Sequence, residues 1–187
     1  MMTLFFLLTI LPASTPVDDQ AHSVIIDFHA PVNWAAVNDG VMGGLSQSSF
    51  EQGEGGAEFS GVLSLENNGG FASVRFANPS PDLSDFTALV LRFRGDGRDY
   101  QLRLRDDRRM DGVAWMSRFE TVEGEWQEVR LPLDEFIPTF RGRQVRDAGD
   151  LQLQRVYQIT LMLADKTSGS FRLELKDLRG ESRDASI

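Results

Sequence analysis

Within WAAVNDGVMGGLSQSSF, residues 34–50, an amide (Asn38), a carboxylate (Asp39) and a thioether (Met42) are interleaved with Gly40, Gly43 and Gly44. Polar side chains beside a soft apolar one suit recognition better than bond cleavage. Glycine opens backbone angles closed to other residues, and Asn or Asp caps neighbouring amides, so the stretch reads as a built, rigid loop. Two readings stand. The loop closes one end of a β-structure with Met42 plugging the edge of the core, or Asn38, Asp39 and Met42 form part of a binding surface. It is not a phosphate-cradling loop, because the lysine and following helix of such a loop are missing.

A second candidate surface comes from the arginines. In RFRGDGRDYQLRLR, residues 92–105, an inward set of Leu91, Phe93, Tyr100, Leu102 and Leu104 puts Arg92, Arg94, Gln101, Arg103 and Arg105 on the opposite side. This predicts four guanidiniums on one sheet face. By the same alternation Trp126 points outward with Glu128 and Arg130, so an aromatic ring joins that face. Arginines beside an exposed ring grip carboxylates, sugar rings or a partner's acidic patch. The competing reading is cross-strand ion pairing with Glu128, Glu120 and Asp99, at a few tenths to about 1 kcal/mol per pair.

Catalytic chemistry finds little support. The two histidines, His22 and His29, bracket the first predicted strand and belong to no metal-binding or triad pattern. There is no cysteine, which removes disulfides, thiolate nucleophiles and zinc–thiolate sites. Asp96 and Asp165 lie in turns where a structural calcium would be sought, but no multi-carboxylate loop motif surrounds them. No catalytic residue, metal site or cofactor is therefore expected. The Arg94-Gly95-Asp96 tripeptide reads as an ordinary turn.

The elements that would position these residues follow a period of two from Ser23 onward. VIIDF, FSGVLSL, FASVRF, TALVLRFR, DYQLRLR, VAWMSRFE, EWQEVRL, VYQITLMLA and SFRLELKDL give about nine strands, separated by polar turns every 8–12 residues. Asn68-Gly69 is the strongest turn signal, predicting a hairpin with residues 58–65 and 71–76 as its arms. Only PLDEF and DAGDLQ suggest turns of helix. The pattern predicts an all-β antiparallel sandwich of jelly-roll type, one domain over residues 22–180 with a polar tail at 181–187.

The 187-residue chain carries 28 acidic and 19 basic side chains, a net charge of −9. That field opposes binding to a nucleic-acid backbone. LFFLLTIL, residues 4–11, is too short to span a bilayer and has the length of a signal-peptide apolar region. Residues 1–21 are expected to be signal-peptide-like or flexible. A cleaved segment means a periplasmic or exported protein; an intact one means a cytoplasmic, membrane-associated protein.

VNDGVMGGLS, FSG, NNGGFASVR, RFRGDGRDYQLRLR, EWQEVRLPLDEF and DKTSGSFRLELKDL, in this order over residues 25–178, resemble the complex I intermediate-associated protein 30 family. The resemblance implies a galactose-binding-domain-like sandwich, with no enzymatic activity established for the family. It also implies a protein partner, a membrane-arm intermediate in the assembly of respiratory complex I. The fold relation leaves an exported carbohydrate-binding module of the cell envelope as the alternative, with Trp115 or Trp126 as the stacking platform for a glycan.

Overall fold

The computed structural model describes residues 22–182 except residues 32, 78–80, 110 and 111; the predicted leader and the last five residues lie outside the described residues. In chain order the strands are β1 (His22–Asp27), β2 (Trp34–Ala36), β3 (Gln47–Gly53), β4 (Gly56–Leu63), β5 (Ala72–Ala77), β6 (Phe86–Arg94) and β7 (Asp99–Arg105). They continue with β8 (Ala114–Glu120), β9 (Trp126–Pro132), β10 (Ile137–Phe140), β11 (Arg143–Gln144), β12 (Gln158–Leu163) and β13 (Gly169–Ser182). All the predicted strands are present. The additional ones, β2, β3, β10 and β11, are short or polar segments at or next to the sheet edges, without a long apolar alternation to announce them.

The strands form two antiparallel sheets. The first has the order β3-β4-β13-β6-β9, with β1 pairing the C-terminal half of β13; the second has the order β11-β10-β8-β7-β12-β5-β2. The 14-residue β13 reaches two residues past the predicted domain end and pairs β4 through its first half. Where the register shifts, between Leu175 and Asp177, the strand passes from β4 to β1 as its neighbour on that edge. The inward residues of both sheets meet in one core: Phe59, Leu91, Phe93, Leu173 and Leu175 face Tyr100, Leu102, Leu104, Ile159 and Leu161, all essentially inaccessible. Burying each such side chain contributes roughly 1.5–3 kcal/mol.

Two predicted turns are corners instead of hairpins. β4 lies in the first sheet and β5 in the second, so the Asn67–Gly70 turn carries the chain across the core. In this turn the positive φ values fall on Asn67 (54°), Asn68 (60°) and Gly70 (132°), not on Gly69, and Leu65 lies beyond the strand end and is exposed. β6 and β7 are likewise in opposite sheets. The PLDEF stretch forms a 3-10 turn at Leu133–Glu135; the turn expected within DAGDLQ lies slightly later, at Leu153–Arg155.

The β6–β7 corner is clamped. Arg98 donates Nε and Nη2 to the two carboxylate oxygens of Asp165 (2.9 and 2.8 Å) and bonds the carbonyls of Thr167, Gly169 and Ser170, joining this corner to the β12–β13 connection. Asp96 accepts the Tyr100 hydroxyl at 3.1 Å and the Arg172 backbone N–H at 2.7 Å. Both carboxylates considered for calcium thus answer protein donors. A charged hydrogen bond in a partly buried clamp contributes about 1.5–3 kcal/mol. Asp165→Asn is accordingly expected to lower stability by about 2 kcal/mol, read as a lower urea midpoint with unchanged m-value.

Candidate functional site

The loop at residues 37–46 is organised around Asp39, which opens a 3-10 turn over Asp39–Met42 and is 0% exposed. One carboxylate oxygen accepts the Ser46 backbone N–H at 3.0 Å; the other accepts the Ser46 hydroxyl at 2.5 Å, the Gly70 N–H at 2.7 Å and the Phe71 N–H at 3.3 Å. One side chain thereby ties the approach to β3 to the approach to β5 at Gly70, 31 residues downstream of Asp39. Burial pushes the Asp39 carboxyl up, but the hydrogen bonds from Ser46, Gly70 and Phe71 more than reverse this and hold it below the usual carboxylate range. Asn38 does parallel work. Its Oδ1 accepts the Ser48 hydroxyl (2.7 Å) and the Ser73 N–H (3.2 Å), while Ser73 donates its hydroxyl to the Val37 carbonyl.

The glycines have separate causes. Gly43 ends the turn at φ +89°. Gly44 and Gly69 have ordinary φ values but no room for a side chain: a Cβ would stand 2.4 Å from the Asp39 carboxyl carbon and 2.7 Å from Asp39 Oδ2, respectively. Gly40 has neither constraint. The serines that complete the knot, Ser46, Ser64 and Ser73, carried no sequence signal beyond their small size.

What the knot presents outward is apolar. Met42 is 62% exposed, so it does not plug the core edge, and Leu45 (53%), Val62 (53%) and Leu65 (45%) stand exposed at the same end. Their proximity follows from pairing: Val62 lies opposite Gln47, and Ser46 and Ser64 are hydrogen-bonded to each other (3.0 and 3.2 Å), which brings Leu45 and Leu65 alongside. An open groove of about 470 Å³ runs past Val62 and Leu65 to Ser168 and Gly169. Exposed single apolar residues are ordinary; here pairing brings Leu45, Val62 and Leu65 together as a patch, and Met42 stands exposed three residues before Leu45 on the same loop.

The predicted four-arginine face is divided between the two sides of the sandwich. Leu91, Phe93, Tyr100, Leu102 and Leu104 do point inward, but β6 and β7 are in different sheets. Arg92 and Arg94 therefore lie on the outside of the first sheet, and Arg103 and Arg105 on the outside of the second. Trp126 pairs directly with Arg94, outward as expected and 39% exposed; the Arg94 guanidinium and the Lys176 ammonium sit 5.2 and 5.3 Å from its ring centroid. Trp115 faces Leu104 in the core and is buried, so it offers no stacking platform.

The first sheet's outer face is a lattice of ion pairs. Arg94 meets Glu174, Arg130 meets Glu181, Arg172 meets Glu58 and Glu174, and Arg179 meets Glu128 and Asp177, at 2.5–3.2 Å. Of the acids predicted as partners only Glu128 takes part; Asp99 and Glu120 lie opposite each other on β7 and β8. His22 begins β1, and His29 contacts Asp27 at 2.8 Å. Among the described residues no group of three His, Asp or Glu side chains has metal-holding geometry, and no helix is long and apolar enough to cross a membrane.

Two twisted antiparallel sheets over one core, with a knotted polar loop closing an end, define a galactose-binding-like β-sandwich. Solved structures agree on that class. A family 11 carbohydrate-binding module of a Clostridium thermocellum cellulosomal cellulase superposes with a TM-score of 0.67 over 89% of this chain and 98% of its own, at 16% identity. A family 30 carbohydrate-binding module does so at 0.55, with 90% and 92% covered and 13% identity. The chain itself belongs to the complex I intermediate-associated protein 30 family, whose description residues 26–175 match. The mouse mitochondrial complex I intermediate-associated protein 30 is 38% identical over 101 residues, 51% of this chain and 30% of that protein. A probable Caenorhabditis elegans counterpart, also mitochondrial, is 30% identical over 117 residues, 60% and 34% of the two chains. An uncharacterised Schizosaccharomyces pombe protein is 26% identical over 185 residues, 83% of each. The chain thus spans about a third of the mouse and nematode proteins.

Proposed function

We propose that this chain is a non-catalytic binding protein that assists assembly of respiratory complex I by holding a protein partner. The observation that carries the reading is the family match over residues 26–175, which includes the Asp39 knot and the patch it supports. Met42, Leu45, Val62 and Leu65 make the contact. A rigid apolar patch loses little entropy on docking, and a protein intermediate awaiting its neighbours exposes apolar surface of the same kind. Asn38, Asp39, Gly43, Gly44 and Gly69 hold this end in shape, and Arg92, Arg94 and Trp126 lie further along the outer face of the first sheet on which Val62 stands. Residues 22–182 form the binding domain, and the compartment is the one in which the unfinished complex is displayed.

A photo-crosslinking residue at Leu45, expressed in the native host, tests this directly. The expected result is a crosslinked species that migrates with a partial complex containing complex I subunits and disappears with Leu45→Asp at unchanged melting temperature. Crosslinks distributed over abundant proteins, with no complex I subunit enriched, would overturn it. The exported carbohydrate-binding alternative rests on the solved neighbours and on Trp126, since Trp115 is in the core. A glycan-array signal that Trp126→Ala abolishes would favour that alternative.

A further inference from the structure

On the second sheet's outer face two arginines, Arg75 and Arg103, stand without the ion pairs that the first sheet's arginines make among the described residues. Inter-strand registers place Ala35, Arg75, Thr160, Arg103 and Met116 in one row across β2, β5, β12, β7 and β8. With strands about 4.8 Å apart, Arg75 and Arg103 start roughly 10 Å from each other and flank the Thr160 hydroxyl. A small pocket of about 20 Å³ opens between them, lined by Arg75, Arg103, Arg105, Thr160, Met162 and Ala114. No carboxylate is among those side chains. Among the described residues, neither Arg75 nor Arg103 forms an ion pair, although the chain has 28 acids.

The electrostatics agree with that geometry. Burial lowers Arg103 to about 10, helped by the positive fields of Arg105, Arg75 and Arg118; burial also lowers Arg75. Both stay protonated at neutral pH, so the charge is held in place at a cost. The orientation is held as well: Arg103 Nε donates to Gln101 at 3.0 Å, and Arg105 at the rim donates to the carbonyls of Gly112 and Val113. Among the described residues, Asp107 acts on Arg105 at the rim.

We propose that Arg75, Arg103 and Thr160, with Arg105 at the rim, bind the terminal oxyanion of a phosphate monoester. A space of about 20 Å³ admits one or two oxygens, not a whole group, so the ester's remaining atoms stay at the mouth. A planar carboxylate saturates one guanidinium and leaves the second poorly met. A tetrahedral phosphate presents separate oxygens to two guanidiniums and a hydroxyl, and its charge of about −1.5 to −2 balances more than one of them. This site is on a different surface from the apolar end, so it stands or falls independently of the assembly reading.

The test is calorimetric titration and thermal melting of the full chain with glycerol 3-phosphate, inorganic phosphate and acetate, and flotation with phosphatidylcholine vesicles with and without phosphatidate. Expected is saturable binding of the phosphate compounds, weakened about tenfold or more by Arg103→Gln and by Arg75→Gln, and unaffected by Arg92→Gln. Preference for soluble ester or for phosphatidate vesicles identifies the source of the group. Removing a guanidinium relieves repulsion, so the ligand-free melting temperature of Arg103→Gln stays level or rises, whereas a merely structural arginine would make it fall. Equal response to acetate and phosphate, or phosphate binding unchanged in both variants, overturns the proposal.

Discussion

Asp39→Ala is expected to remove about 3–5 kcal/mol of folding stability, the range for taking one partner out of a buried charged network. Three backbone N–H groups, of Ser46, Gly70 and Phe71, lose their acceptor at a site with no exposure. An orphaned buried donor costs about 1–3 kcal/mol, but the total stays below the sum because the Ser46 hydroxyl retains the Ser64 carbonyl at 3.2 Å. Against a typical domain stability of about 5–15 kcal/mol, the variant becomes marginal. Urea unfolding measures the loss. Asp39→Asn separates charge from shape, since its NH₂ meets converging donors and cannot replace the second oxygen.

The same carboxylate makes stability depend on acid. Its folded pKa lies below the model-peptide value, so its contribution is complete above about pH 4 and disappears as pH falls through the lower folded pKa. The wild type should therefore lose urea resistance as pH falls below about 4 more steeply than Asp39→Asn, which has no proton to take up there. Parallel acid profiles of the two proteins would mean that Asp39 is not ionised in the fold.

The parts of this arrangement legible in the sequence are those that one strand determines alone. Tyr100, Leu102 and Leu104 alternate with Gln101, Arg103 and Arg105 because each strand buries one face, and period two survives whatever the strand pairs with. Sheet membership does not follow from that period. Asn67 to Gly70 and Gly95 to Gly97 reverse the chain with the residues a hairpin would use, yet both lead across the core, because local dihedrals bend a chain without choosing its next partner. The division of Arg92 and Arg94 from Arg103 and Arg105 follows directly. Arg75 was equally readable as outward between Val74 and Phe76, but its meeting with Arg103 across Thr160 depends on three strands distant in sequence. Asp39 resembled a turn former in NDG; its burial is decided by donors at Ser46, Gly70 and Phe71.

Gly44→Ala should lower stability by about 2–3 kcal/mol, with an effect that depends on Asp39. The added methyl would lie 2.4 Å from both the carboxyl carbon and Oδ1 of Asp39 and 2.8 Å from its Cβ. Backbone strain is not the cause, because Gly44 has no positive φ; Gly43, with φ +89° and nothing near a Cβ, is the opposite case. Asp39 cannot retreat from the methyl without stretching its bonds to Ser46 and Gly70, so overpacking and lost hydrogen bonds arrive together. In an Asp39→Ala background the two 2.4 Å conflicts vanish, leaving the 2.8 Å approach to Cβ. The double mutant should therefore be more stable than the sum of the single losses predicts, by about 1–3 kcal/mol. Gly43→Ala, whose cost is conformational, should add to Asp39→Ala with no such coupling. Urea midpoints for the two cycles decide the matter: equal coupling in both, or none in either, would show that Gly44 is not there to make room for the carboxylate.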